Sequence, residues 1–120
     1  MKIYLVDVLS TTDAMFPNVY TQQQKRDWVY ALEAQIRTFT ELYTGQEAAL
    51  DFLEEPNAEL TLGKEDIDIY VYYLLSKIHM ANNDVAMYNN HTAMFNGLMR
   101  DWQKKHRREN IPAKNTAIGY

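Results

Sequence analysis

The chain contains no cysteine, which excludes structural disulfides and thiol chemistry and removes the usual ligands of a zinc ribbon or an iron–sulfur cluster. Its four glycines stand singly, so neither a phosphate-cradling glycine loop nor a dinucleotide fingerprint can be assembled. G-x-S-x-G and H-E-x-x-H are also missing, and with them the commonest hydrolase signatures. Long apolar runs are absent too. The longest, Ile69 to Leu75, falls far short of the roughly 20 residues a bilayer span requires, and no membrane segment is expected. At the start, one Lys precedes an apolar run that Asp7 interrupts, too short for the apolar region and cleavage site of a signal peptide. No enzyme activity, cofactor or metal is implied by any motif.

What the chain does have is 47% hydrophobic residues in 120, enough for one domain that buries about two thirds of its unfolded surface. The net charge of -4 is unevenly spread. Residues 1–99 carry six Lys/Arg against fourteen Asp/Glu, whereas residues 100–120 carry six against two. An acidic body and a basic end can attract each other between copies, or the end can meet phosphate. The alternative is a solvated basic helix end, since Lys104, Lys105, Arg107 and Arg108 complement the negative C-terminal pole of a helix.

The stretch from Lys64 to Arg108 organises the rest. Ile67, Val71, Leu74, Ile78 and Ala81 recur at steps of four and three, as do Val85, Tyr88, Thr92, Phe95, Met99 and Trp102. Both spacings keep apolar side chains on one face of a 3.6-residue period. Asn82-Asn83-Asp84 separates the two runs, and so short a turn predicts an antiparallel helical hairpin.

Ahead of it, a short helix is expected from about Ile3 to Leu9, with Val6 and Val8 leaving a strand as the alternative, then a connector from Thr12 to Tyr20, because Phe16-Pro17-Asn18 bars a helix from continuing. Thr21 with Gln24 three residues on predicts a capping box. The helix it opens carries Trp28, Leu32, Ile36, Phe39 and Tyr43 on one face, with Lys25, Glu33 and Arg37 assigned to the polar side, and Thr44-Gly45 closes it. Leu50 to Leu53 and Glu59 to Leu62 can pair as a small hairpin. The window from Glu41 to Asp68 holds nine acids and one Lys without the ligand loop of an EF-hand. The predicted fold is mainly α: an antiparallel helical bundle of three to four helices, with room for a small β-hairpin insertion. Residues 1–109 form the domain and residues 110–120 an extended arm, whose Pro112 and Gly119 and lack of periodicity give no reason for a packed structure.

Two features of the hairpin point outward. Ile69, Tyr70, Tyr72 and Tyr73 form a second apolar face on its first helix, which serves either a partner surface or a three-layer core. Asn89, Ala93, Asn96, Gly97 and Arg100 form a narrow polar, small-residue stripe on the second. There Asn and Gly are poor helix formers, so either another backbone approaches or the face is solvated. Ile111, Ile118 and Tyr120 are candidate pegs on the arm. Lys114 joins Arg100, Lys104, Lys105, Arg107 and Arg108 as a basic tail facing DNA or an acidic partner. His79 and His91, four before and eight after the turn at Asn83, are expected not to face each other.

The helix at Lys25 to Ile36 (K-x-x-W-x-x-x-L-E-x-x-I), the helix start Tyr70 to Leu74 (Y-x-x-Y-L) and the A-N…Y-N-N…F-N pattern from Ala81 to Asn96 together resemble a family. It comprises the small head-tail connector, or adaptor, proteins of tailed bacteriophages, and the likeness spans about two thirds of the chain. The resemblance implies a virion protein made in the bacterial cytoplasm, one subunit of a closed ring of about twelve copies. That ring would dock beneath the portal, meet a downstream tail or stopper protein and surround the channel through which DNA passes. The competing classes are a small helical regulator that binds another protein through the tyrosine face, and a nucleic-acid-binding accessory protein.

Overall fold

The computed structural model describes residues 1–45 and 49–110. Strand β1 (Lys2–Tyr4) leads directly into helix α1 (Leu5–Met15), followed by α2 (Gln22–Thr44), a single 3-10 turn at Asp51–Glu54 and strand β2 (Glu59–Gly63). A second 3-10 turn, Lys64–Asp66, opens α3 (Ile67–Ala81), and α4 (Val85–Glu109) completes the described chain. The result is a helical bundle with a small two-stranded sheet, as the periodicities predict. The expected arm falls almost wholly outside the described residues.

Helix α3 is the centre. It packs against α1, α2 and α4, and Ile69, Tyr70, Val71, Leu74, Leu75 and Ile78 are all buried. A helix enclosed on three sides has to be apolar round most of its circumference, which accounts for its unusual composition. Ile69 and Tyr70, offered above as part of a partner surface, are therefore interior, at 2% and 0% exposure. For these two the three-layer alternative holds.

The hairpin turn owes its brevity to Asn83, which sits in the left-handed region at φ 59°. The Asn83 N–H donates to the Met80 carbonyl and the Asp84 N–H to the His79 carbonyl, the paired bonds that close a helix over a left-handed residue. Asp84 then caps the next helix, accepting from the Met87 N–H at 3.2 Å. Chain reversal and recapping thus need only three residues.

Helix α2 opens as expected: the Gln24 N–H donates to Thr21 Oγ1 and the Thr21 N–H to Gln24 Oε1, at 3.1 and 2.9 Å. Gly45, at φ 75°, ends it. Two expectations for the first 20 residues change. Residues 2–4 are extended, and the helix runs six residues past Leu9 because Ser10-Thr11-Thr12 continue it. Thr11 Oγ1 donates back to the Asp7 carbonyl at 2.8 Å, which lets that residue stay in the helix, and Thr12 packs into the core.

The strand expected at Glu59 to Leu62 is present, but its partner is β1, antiparallel, with Lys2 opposite Gly63 and Tyr4 opposite Glu59. Residues 51–54 form the 3-10 turn instead. Ile3, Leu60 and Leu62 point inward and their neighbours outward, the period-2 signature of a half-buried ribbon.

Candidate functional site

A polar cluster holds the connector onto the helices. Glu33, on the same face as Val29 and Ile36, is fully buried. Its carboxylate accepts from Arg37 Nε at 2.7 Å, from the Thr61 hydroxyl and N–H at 2.6 and 2.9 Å, and from the Tyr70 hydroxyl at 2.6 Å. Arg37 also donates to the Ala49 and Glu59 carbonyls and lies over the Phe52 ring. Burial, then the neighbouring Glu33 charge, pushes the Tyr70 hydroxyl far above its ordinary titration range, so it stays a donor. Lys25, also assigned to the polar side, is buried against Asp13 at 2.7 Å. Burial draws the Asp13 carboxyl upward, but hydrogen bonds from Lys25, Gln22 and Asn18 outweigh it and hold the group below its ordinary value. With every oxygen partnered, these groups act as fasteners and offer no reactive atom. Glu33 was assigned to the polar side; the signal that could have found it is its spacing of four from Val29 and three from Ile36, both buried.

Helix α4 differs from the other three in having no fully buried residue along 25 positions. Its inner side rests on α3 through Phe95 against Tyr73 and His91 against Tyr72, ring centroids 5.1 and 5.7 Å apart. Tyr72 and Tyr73 are accordingly half-buried beneath α4. Farther along, Trp102 stacks on His106, with Phe39 and Tyr43 of α2 completing an aromatic box. Burial there lowers the His106 pKa.

Among the described residues nothing covers the outer side of α4. From Val85 to Met99 it carries no Asp, Glu, Lys or Arg, while Val85 and Met94 are 67% and 49% exposed and Asn89, Ala93 and Asn96 are exposed beside them. Val85, on the predicted apolar stripe, thus lies outside the core. At the hairpin end, Met80, Asn83, Val85, Tyr88 and Asn89 line a shallow cleft. Beyond Met99 the same side turns basic. Arg100, Lys104, Lys105, Arg107 and Arg108 are all exposed, and none is in an ion pair among the described residues. They do not form one patch: Lys105 turns toward Asp66 in a cleft shared with Glu65 and Glu109. Burial and the Glu65 charge raise the Asp66 pKa, which the Lys105 charge partly offsets.

Of the candidate interface residues, then, the structure places Asn89 and Asn96 on the open side of α4, Tyr72 and Tyr73 under it, and Ile69 and Tyr70 in the core. Ile111, Lys114, Ile118 and Tyr120 lie outside the described residues. A further exposed apolar edge was missed: Val6, Leu50 and Leu53 are 50%, 42% and 45% exposed, next to Asp51, Glu54 and Glu55. Reading Leu50 to Leu53 as a strand concealed it.

The two histidines expected to miss each other instead stack, centroids 4.9 Å apart and planes inclined by 20°. Side chains lean toward the N-terminus of their helix. In an antiparallel hairpin His79 therefore leans away from the turn and His91 leans back toward it, which closes the offset from both sides. Phe16 packs against His79 in a tilted contact, centroids 4.5 Å apart, and Asp84 Oδ2 lies 3.8 Å from His79 Nδ1.

Among the described residues no cluster of three or more His, Asp or Glu is placed to hold a metal ion, and no helix is long and apolar enough to cross a membrane. No family model, curated protein or solved structure matches the chain.

Proposed function

We propose that this chain is a structural subunit of a larger assembly, specifically a head-tail connector of a tailed bacteriophage that rings the DNA channel beneath the portal. The observation that carries the assembly reading is the outer side of α4, uncharged from Val85 to Met99 and without a buried residue on a 25-residue helix. A charged, solvated face is the ordinary outward side of a surface helix, and an exposed apolar one marks a contact with something else. The narrower reading draws on the resemblance, whose most distinctive residues, Tyr88-Asn89-Asn90 and Phe95-Asn96, lie on this helix.

In such a ring each copy meets the next through two different patches, and the remaining surface meets portal and tail. The test is to mix the purified chain with the portal protein encoded beside it and to examine the mixture by negative-stain imaging and native mass spectrometry. A closed ring seated on the portal is expected. Monomer alone, both free and with portal, overturns the proposal.

A second reading, a nucleic-acid-binding accessory protein, is favoured by Arg100, Lys104, Arg107 and Arg108, which are exposed and have no ion-pair partner among the described residues. It requires duplex binding that weakens steeply with salt, which filter binding across a salt series measures.

A further inference from the structure

Two surfaces of this molecule are complementary and cannot meet within one copy. The first is the outer side of α4, where exposed Ala93 and Met94 lead into Arg100, Lys104 and Arg108 at steps of four, all exposed. The second is the edge at the Asp51–Glu54 turn. There Leu50 and Leu53 stand half exposed beside Glu54 and Glu55, and half-exposed Val6 lies at the end of the same segment, where its N–H donates to Asn57 Oδ1 at 2.9 Å. The acids at this edge, like the bases on α4, have no ion-pair partner among the described residues. Each surface thus combines apolar area with charge of one sign, and the signs are opposite.

Their placement follows from α2, which holds both. Tyr30 donates to the Glu55 carbonyl and Arg37 to the Ala49 carbonyl, fixing the acidic edge. Phe39 and Tyr43 fix the far end of α4 through Trp102 and His106. Arg37 and Phe39 are two positions apart, hence about 200° around the helix, so the surfaces lie on opposite flanks. Complementary patches on opposite flanks are the requirement for a head-to-tail contact, which propagates until it closes a ring or grows a filament.

We infer that the outer side of α4 docks on the apolar, acidic edge at Val6, Leu53, Glu54 and Glu55 of the next copy of this chain. This rests on the assembly reading above and names the surfaces that reading leaves open. Opposite charges at the rim set register and approach rate, while the apolar centres supply the area.

The test is sedimentation of the full chain across a wide concentration range at low and high salt. Three charge variants accompany it: Lys104→Glu with Arg108→Glu, Glu54→Lys with Glu55→Lys, and all four changes together. Met94→Glu serves as a separate probe of the apolar centre, and circular dichroism checks that each variant keeps its helix content. Self-association that weakens with salt is expected. Either pair of reversals should weaken it about tenfold or more, the four together should restore most of it, and Met94→Glu should weaken it without rescue. Association that ignores every variant overturns this choice of surfaces and leaves the assembly reading standing. Loss in both pairs without restoration in the quadruple variant overturns the pairing. Monomer at every concentration overturns the inference, and failure to ring on the portal as well then overturns the assembly reading.

Discussion

His79 and His91 lie face to face across the α3–α4 hairpin, centroids 4.9 Å apart, and only His79 is fully enclosed, at 2% exposure. Both Nδ1 atoms are buried without a hydrogen-bond partner. The charged groups facing the pair are few: Asp84 from the turn, with Phe16 and Tyr72 contributing uncharged rings. Burial and the neighbouring His79 lower the His91 pKa, and the Asp84 carboxylate offsets this only in part. Two imidazoles in this arrangement stack well when neutral and repel when both are charged.

The consequence is a pH dependence of stability with a definite sign. A histidine whose folded pKa lies below its unfolded value binds fewer protons folded than unfolded, so its contribution is present above about pH 6.5 and is lost as pH falls below that. His106, lowered by burial in the aromatic box, acts in the same direction. Urea midpoints should therefore fall between pH 7 and pH 5. His91→Phe, which keeps the stack and removes one titration, should flatten that fall. A variant profile parallel to that of the unaltered chain would show that the stack is not its source.

Cutting the Glu33 cluster should cost more than its single ion pair suggests. Glu33→Gln weakens the acceptor shared by Arg37, Thr61 and Tyr70, and breaking one side of a buried pair typically costs about 3–5 kcal/mol. Arg37 retains two carbonyl partners and some solvent contact, which places the expected loss nearer about 2–3 kcal/mol. Tyr70→Phe strands the Leu62 N–H, which donates to the Tyr70 hydroxyl, at about 1–3 kcal/mol. The two changes share a network, so their sum should exceed the double variant's loss, and denaturant unfolding of all three variants checks this. Strict additivity would mean the groups act separately.

These cases show what the sequence makes legible. The hairpin was readable because its apolar spacing persists over α3 and most of α4, and the turn because Asn82-Asn83-Asp84 supplies a left-handed residue and a cap in succession. Strand β1 was not, since three residues pairing with a segment almost sixty positions away leave no local pattern. Tyr70 looked like surplus surface because its satisfaction depends on Glu33, 37 residues distant. The histidine stack was missed by counting offsets along the helices without the lean of their side chains. The outer side of α4 was half seen: its Asn and Gly stood out, whereas its lack of charge matters only once the structure shows that no element among the described residues covers it.

The Asn83 turn gives a prediction of opposite signs at one position. Glycine enters the left-handed region without the side-chain penalty that Asn only partly escapes. Asn83→Gly should therefore leave stability unchanged or raise it by up to about 1 kcal/mol. Asn83→Val, with a branched Cβ, should cost about 1–2 kcal/mol. Thermal midpoints of the two variants decide it; a loss in both would mean that the Asn side chain itself holds the turn, which includes the bond from Tyr20 only at neighbouring Asn82.

Helix α4 should come loose from one end. Beyond Leu98 and Met99, its hold on the body is the box in which Phe39, Tyr43, Trp102 and His106 pack ring on ring. Trp102→Ala removes the largest ring, which packs on Phe39 and His106, and for a half-buried aromatic the expected loss is about 2 kcal/mol. The distinguishing readout is local. Amide exchange should quicken from about Met99 to Glu109 while α3 keeps its protection, because the hairpin end is held independently by Tyr72, Tyr73, His91 and Phe95. Such fraying would also remove the rigid presentation of Lys104 and Arg108, so the same variant should weaken self-association even though Trp102 lies on the inner side. Uniform quickening along all of α4 and α3 would instead mean that the helix is held as one cooperative unit and that the box is no separate clasp.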